Sequence, residues 1–504
     1  MEKKIIKFEN IKKFFLNFHN KKIVLCHGVF DLLHLGHVRH FKKAKSLGDI
    51  LIVSITSDKY VNKGPNRPVF NENLRAEMIS AIKYVDYVVV NNFPDSVILI
   101  NELKPNIYVK GIEYKNKFND ITKKIGKEIL SVKKFGGKVV FTDDITFSSS
   151  KLINSYFTNH TEKQKKFLIN VLNEFSSNDI SHKIESLNKI KILVVGETIV
   201  DRYIFCDVLG KSGKDPILTF KKNSVKNYIG GAASIANNLA DFTKSITFFS
   251  IYGGDSPTKK LLNKFDKKIK NLAQPIKKNP TIIKTRFIDE TNKNKLIGLY
   301  QIEDFLTFKE KKKIFAMLKK IIKSYDLVVL ADYGHGFITK EIRDLLSKHS
   351  KYLAVNCQIN SSNIGYHNFY KYKKADLVSV NENELRYEVR DKFSPIKKIM
   401  KNLVSQKNFK NLLVTRGAEG AILFSKKSNQ FFTVPAFSDS IVDKVGAGDT
   451  MFGFYALCSC GKLNINLSLL LSSLAASFST KDFANSKVIK KVDLLKAINH
   501  LNVL

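Results

Sequence analysis

The sequence predicts the α/β class, as two successive domains, each a parallel sheet with helices on both faces and the second bearing a small β lid. Three observations predict it. Apolar runs of strand length alternate with longer amphipathic segments along most of the chain. Glycine-containing loops follow several of these runs and open helices, which is how parallel sheets place their loops at the strand ends. The chain also has 504 residues, too many for one ordinary core.

The first domain is expected over residues 1–157. Residues 23–25 read as a buried strand, broken by Gly28 and Asp31. His34, Gly36 and His37 follow at the mouth of a helix running to about residue 47. Residues 49–55 are a strand and 63–68 an irregular basic loop. Residues 72–82 are a helix, 84–91 a strand, 96–103 a helix and 106–110 a strand. Residues 138–142 are the last strand, and Ser148, Ser149 and Ser150 open a helix. Residues 158–189 are polar and helical in pattern with no buried strand, which predicts a connecting helix or linker.

The second domain is expected over residues 190–504. A strand begins at Lys191 and leads to Asp201, and Gly230 and Gly231 open a helix carrying Asn238. Residues 281–287 and 296–301 read as paired strands, the lid. Residues 326–331 are a strand ending in Asp332, Tyr333 and Gly334. The strand at 377–380 ends in Asn381 and Glu384, and the strand at 412–415 ends in Thr415, followed by Arg416 and Gly417. Finally Lys444, Gly446, Ala447, Gly448 and Asp449 open a helix running through Ala456.

Composition narrows the classes. No stretch approaches the roughly 20 continuous apolar residues of a membrane span, and the start lacks a signal-peptide core. A cytoplasmic protein is expected. Cys26, Cys206, Cys357, Cys458 and Cys460 match neither a zinc site nor a disulfide framework, so reduced thiols are expected. The net charge of +38 raises a nucleic-acid reading, on inactive enzyme folds. A nucleotide-sensing scaffold is a further alternative. Against the first, the lysines are spread through every segment with much asparagine and isoleucine, a compositional lean and not a patch. Phosphorylated small molecules, steered by the field, are the expected partners, with no membrane and no nucleic acid.

Two motifs carry chemistry. His34 and His37 are three apart and share one helical face at a helix N-terminus. Backbone N–H groups there attract phosphate, and Gly36 lets it approach closely. Two imidazoles could hold an α-phosphate while another phosphate attacks it and pyrophosphate leaves. In the second domain, Gly446, Ala447 and Gly448 offer bare N–H groups at a helix mouth, an anion hole for a phosphoryl group in flight. Asp449 stands where a carboxylate could accept a proton from a sugar hydroxyl. Each motif has a plainer reading: ordinary histidines in one case, a capped helix with a first-turn acid in the other.

Gly28, Phe30, Asp31, His34, Gly36 and His37 together resemble the signature Gly-x-Phe-Asp-x-x-His-x-Gly-His of a Rossmann-like nucleotidyltransferase superfamily. The resemblance implies transfer of a nucleotidyl group from ATP or CTP to a phosphorylated small molecule. Lys63, Arg67, Arg75 and Lys110 match cationic positions of its sugar-phosphate and glycerol-phosphate members, and Ser148–Ser150 partly match the Ile-Ser-Thr-Thr element that holds nucleotide phosphates. The second domain resembles the ribokinase-like (phosphofructokinase B) sugar kinases through Asp201, Gly230, Gly231, Asn381, Glu384, Thr415, Gly417 and the Gly446–Asp449 segment. The resemblance implies Asp449 as base, and Asn381 and Glu384 organising Mg²⁺ and phosphates, the metal through water. It also implies Thr415 and Gly417 at the ATP site, and Asp201, Gly230, Gly231 and Asn238 on sugar hydroxyls.

The pairing of the two resembles the bacterial ADP-heptose synthases. Asp332-Tyr-Gly-x-Gly336, Asp201-Arg-Tyr203 and the segment from Val109 to Tyr114 are similar to theirs. That implies phosphorylation of heptose 7-phosphate at O1, adenylylation of heptose 1-phosphate for lipopolysaccharide, and a homodimer. A CTP-using enzyme acting on another sugar or polyol phosphate is the close alternative. Three departures stand out. The transferase comes first here, the reverse of those synthases. Asn356-Cys357-Gln358 stands where Asp-Pro-Lys is usual. Ser234 and Lys444 replace an asparagine and a threonine.

Overall fold

The alternation of strand- and helix-length segments is realised in a computed structural model that describes residues 4–15, 18, 20–61, 67–114, 124–142, 160–276, 279–303, 306–438 and 441–501. The chain divides into two units, Met1–His160 with Val492–Leu504, and Thr161–Lys491. Lys63 and Ser148–Ser150 lie outside the described residues.

In the first unit, β1 (Ile5–Ile6) precedes β2 (Ile23–Gly28), α1 (Leu35–Lys45) and β3 (Ile50–Thr56). Then come α2 (Glu72–Ser80), β4 (Tyr87–Asn91), α3 (Val97–Leu103), β5 (Ile107–Gly111), α4 (Ile125–Lys134) and β6 (Lys138–Thr142). The sheet is parallel throughout, in the order β1-β4-β3-β2-β5-β6. All seven residues of β3 are buried, as a central parallel strand covered on both faces requires. Val24, Phe41, Leu51, Val53 and Val88 fill one face, and Leu25, Ile52, Leu99, Tyr108 and Val132 the other. The chain builds β3 and β4 on one side of β2 and then β5 and β6 on its other side. The carboxyl end of β2 is therefore the switch point at which a crevice opens.

The second unit begins with α5 (Glu162–Glu174) and α6 (Ser177–Ser186), so the stretch expected as a connecting helix or linker is two helices grouped with that unit. Both open with capping boxes, Thr161 with Gln164 and Ser176 with Asp179. Leu168, Val171, Ile180 and Ile184 are buried, and Gln164 Nε2 donates to the Ala436 carbonyl at 2.5 Å. One narrow apolar stripe docks these helices although most of their residues are polar.

The main sheet uses β7 (Lys191–Gly196), while β8 (Thr198–Lys211) and β9 (Leu218–Gly230) leave it for the lid. α7 (Gly231–Leu239), β10 (Ser245–Phe249), the short β11 (Ile251–Tyr252), β12 (Ile269–Asn271) and β13 (Gln274–Pro275) follow. β14 (Ile282–Asp289) and β15 (Lys295–Gln301) complete the lid, in the order β15-β14-β8-β9. β16 (Leu327–Asp332), β17 (Leu353–Cys357) and β18 (Lys374–Asn381) are next, with α8 (Glu382–Val389) after β18. β19 (Asn408–Thr415), β20 (Ala421–Ser425), β21 (Gln430–Val434), α9 (Ala447–Cys460) and α10 (Ile465–Ser479) finish it. The nine-stranded sheet runs β12-β10-β7-β16-β17-β18-β19-β20-β21, antiparallel only at β20 and β21. α9 is buried from Thr450 to Cys458, which fixes its first turn against the sheet.

Among the described residues no helix is long and apolar enough to cross a membrane. All five cysteines are free thiols.

Candidate active sites

In the first unit His34 is the N-cap of α1, and its Nδ1 accepts the Gly36 N–H at 3.1 Å. Burial lowers its pKa, so the ring is neutral at pH 7 and its proton sits on Nε2. Nε2 is itself buried, with no hydrogen-bond partner among the described residues. The His37 ring lies 3.9 Å from that of His34 and packs edge-to-face with Phe30 at 5.4 Å, both centroid to centroid. Phe30 adopts a left-handed backbone (φ 48°), and a Cβ on Gly28 would meet its ring at 3.0 Å. Glycine at 28 thus lets Phe30 fold back and support His37. The structure brings Gly28, Phe30, His34, Gly36 and His37 together at the switch point.

Three other expected ligands are turned elsewhere. Asp31 is fully buried; it accepts the Val69 and Phe70 N–H groups and pairs with Arg67, holding the loop opposite. Arg75 is also fully buried, its guanidinium spent on the carbonyls of Val29, Thr56 and Phe70 and on Asp58. Lys110 donates to the His27 carbonyl at 3.2 Å and pairs with Glu128 at 3.3 Å. Burial works against its charge, but Tyr108 and Glu128 more than offset this and raise its pKa. Glu128, opposed by the same burial, is drawn down to about 2 by Lys110. In all three a buried charged group at a strand end is satisfied by partners within the protein.

In the second unit Gly446 caps α9 with φ 86°, and a Cβ on Gly448 would meet nothing within 4 Å. The helix mouth is open. Asp449 sits in its first turn. Its Oδ2 accepts the Tyr333 hydroxyl at 3.0 Å; its Oδ1 accepts Asn356 Nδ2 at 3.0 Å and Gln358 Nε2 at 2.5 Å. Burial raises its pKa to about 7, with Asp201 adding to the rise and Tyr333, Lys284 and Asn356 opposing it. A carboxyl group so poised can take up a proton near neutrality.

The lid supplies Asp201, Lys284 and Arg286. Lys284 is in register with Asp201, and Arg286 pairs with Asp201 at 2.5 Å. A Cβ on Gly230 would lie 2.1 Å from Asp201 Oδ2, and Gly231 (φ 58°) would bring one to 2.7 Å from the Glu197 carbonyl. Only glycines fit there. Lys284 and Arg286 were missed in the sequence, although two cations spaced by two on a predicted strand share a face. Tyr333, Asn356 and Gln358 were noted but not as partners of Asp449.

Asn238 ties α7 to α9 through Thr450 and accepts the Ile489 N–H. Asn381 and Glu384 form a reciprocal cap at α8, and Glu384 also accepts the Ile359 N–H. Burial raises Glu384 to about 7. Thr415 ends β19, and Gly417 (φ 57°) turns the chain beyond it. Among the described residues one donor set could suit a metal ion: Asp332, Cys357 and His367. It is closed by Lys371, whose Nζ lies 2.7 Å from Asp332 and 2.9 Å from His367, and its thiol and imidazole do not suit Mg²⁺.

Fold and site together define a doubly wound α/β protein with a β lid and a glycine-lined helix mouth, the carbohydrate-kinase arrangement, preceded by a nucleotidyltransferase-type sheet. Residues 189–486 match the pfkB family of carbohydrate kinases, and residues 25–196 match a cytidylyltransferase-like family. The chain belongs to the pfkB family of carbohydrate kinases. It is 41% identical over 155 residues to the bifunctional protein HldE of Campylobacter jejuni, covering 30% of this chain and 31% of that one. With the bifunctional protein HldE of a Nitratiruptor species it is 25% identical over 294 residues, 57% of this chain and 61% of the relative. The chain thus spans less than two thirds of the length of these relatives. The fold matches phosphofructokinase-2 from Escherichia coli with a TM-score of 0.51 at 16% identity, covering 62% of this chain and 99% of that one.

Proposed function

We propose that the chain makes a nucleotide-activated sugar with two active sites. The second unit transfers the γ-phosphoryl group of ATP to the anomeric hydroxyl of a sugar or sugar phosphate. The first unit joins the resulting sugar 1-phosphate to a nucleotide. Heptose and ATP are the substrates named by the resemblance to ADP-heptose synthases. Work in the cytoplasm, as a homodimer, belongs to the same reading.

The observation that carries the reading is common to both units: a glycine-bearing helix start at a strand end, furnished with side chains able to handle a proton. In the kinase step Asp449 accepts the hydroxyl proton as the sugar oxygen bonds to the γ-phosphorus and the bond to ADP breaks. Gly446, Ala447 and Gly448 present N–H groups to the phosphoryl oxygens. Asp201, with Lys284 and Arg286, orients the sugar from the lid. Mg²⁺ supplies charge neutralisation when it arrives with ATP, and Glu384 would hold its water shell. In the transfer step a sugar-phosphate oxygen bonds to the α-phosphorus and pyrophosphate leaves. The Nε2–H of His34 donates to the α-phosphate, and His37 beside it shares the developing charge.

The test is a product assay by mass spectrometry. Purified protein with Mg²⁺, ATP and CTP is given heptose 7-phosphate, and separately heptose 1-phosphate. The reading predicts a heptose bisphosphate from the first and ADP-heptose from the second. A CDP-sugar alone would overturn the choice of ATP, and no product from either would overturn heptose as the substrate.

A further inference from the structure

Asp449 is gripped by three side chains, and two of them come from the segment that departs from the related synthases. Strand alternation points Asn356 and Gln358 to one side of β17 and its extension, and Cys357 to the other, where it meets His367 Nε2 at 3.1 Å. On the Asp449 side both amides converge on a single oxygen, Oδ1, at 3.0 and 2.5 Å. Oδ2 receives only the Tyr333 hydroxyl among these donors. The same segment also fixes Tyr333: Asn360 Nδ2 and Asn363 Nδ2 both donate to the Tyr333 carbonyl, at 3.0 and 2.8 Å. Residues 356–363 therefore control both oxygens of one carboxylate.

We propose that Asn356 and Gln358 are positioning residues for the kinase step, anchoring Asp449 Oδ1 through two neutral amide donors so that Oδ2 faces the sugar hydroxyl. The proposal rests on the reading of Asp449 as the base. Neutral donors do here what a lysine does by charge. They favour the ionised carboxylate without placing a cation that would also bind the phosphoryl group. The charged and titratable groups around Asp449 are Tyr333 from the loop after β16, Asp201 from β8, Lys284 from β14 and Glu384 from α8. Asp201 and Glu384 disfavour its ionisation, Tyr333 and Lys284 favour it, and the two amide donors on Oδ1 add to the same side.

The experiment compares the full chain with Gln358→Met, which removes a donor at similar volume, and Gln358→Lys, which supplies a cation. In the pH profile of kcat, Gln358→Met should raise the acidic limb by about one unit, the scale of one hydrogen bond to an ionised group. At pH 7 that lowers kcat about fivefold, with KM for ATP little changed. Gln358→Lys should lower the limb. A packing role would move neither limb, so three coincident profiles would overturn the proposal. Aspartate labelled with ¹³C at Cγ gives the same answer without turnover, the Asp449 signal being identified by its loss in Asp449→Asn. If the unmodified chain phosphorylates nothing, the kinase reading fails. The two opposed shifts in the carboxylate titration still support or overturn the anchoring on their own.

Discussion

Asp449→Asn should make the protein more stable at neutral pH while silencing phosphorylation. The folded state raises this carboxyl from 3.8 to about 7, chiefly by burial. A shift of about three units corresponds to roughly 4 kcal/mol at 1.36 kcal/mol per unit. The sign is set by proton linkage. Below pH 4 the group is protonated in both states and costs nothing. Between pH 4 and 7 the folded state holds a proton that the unfolded chain has released, so stability falls as pH rises. Above pH 7 the full penalty is present. Water around a half-buried carboxylate reduces it, so the stability gain of Asp449→Asn over the parent should grow by about 2–4 kcal/mol between pH 4 and 8. The new amide also faces the Asn356 and Gln358 donors, which adds an offset that does not vary with pH. Urea unfolding of the full chain at four pH values reads the pH-dependent part directly. A gap that stays constant from pH 4 to 8 would show that Asp449 ionises normally and would refute the reasoning.

Lys110→Met should destabilise the first unit by about 3–5 kcal/mol, because Glu128 is left buried and unpaired; an unchanged unfolding midpoint with weakened nucleotide binding would restore Lys110 as a ligand. Gly230→Ala places a Cβ 2.1 Å from Asp201 Oδ2 and must displace the Asp201–Arg286 pair. Kinase KM for the sugar should rise at least tenfold with KM for ATP unchanged, about 1.4 kcal/mol of lost binding, read by steady-state kinetics.

The sheets and the two helix mouths were legible in the sequence because periodicity and glycine placement are local. The run Ile50–Thr56 declares a central parallel strand by its unbroken burial pattern. The lid was half legible. β14 and β15 show through apolar pairs such as Ile282–Ile283 and Leu296–Ile297, whereas β9 carries polar stretches such as Lys221–Ser224 and is largely exposed. α4 was missed although Ile125, Ile129 and Val132 recur at helical spacing. Site residues divided by geometry. His34, His37 and Asp449 sit at positions that a helix start dictates. Arg75, Lys110 and Asn238 had the right chemistry for ligands, yet each found a partner far away in sequence: Val29, Glu128 and Thr450. No local pattern reveals that a cation is already satisfied.

The central claim is that two chemistries occupy two separate sites. Its most direct test is to supply ATP labelled at the α- or γ-phosphorus to the parent, His37→Ala and Asp449→Asn, with each sugar phosphate in turn. The account predicts that His37→Ala loses α-label in the nucleotide sugar and keeps γ-label in the bisphosphate, and that Asp449→Asn does the reverse. If either substitution silenced both transfers in a folded protein, the two sites would not be independent and the account would be wrong.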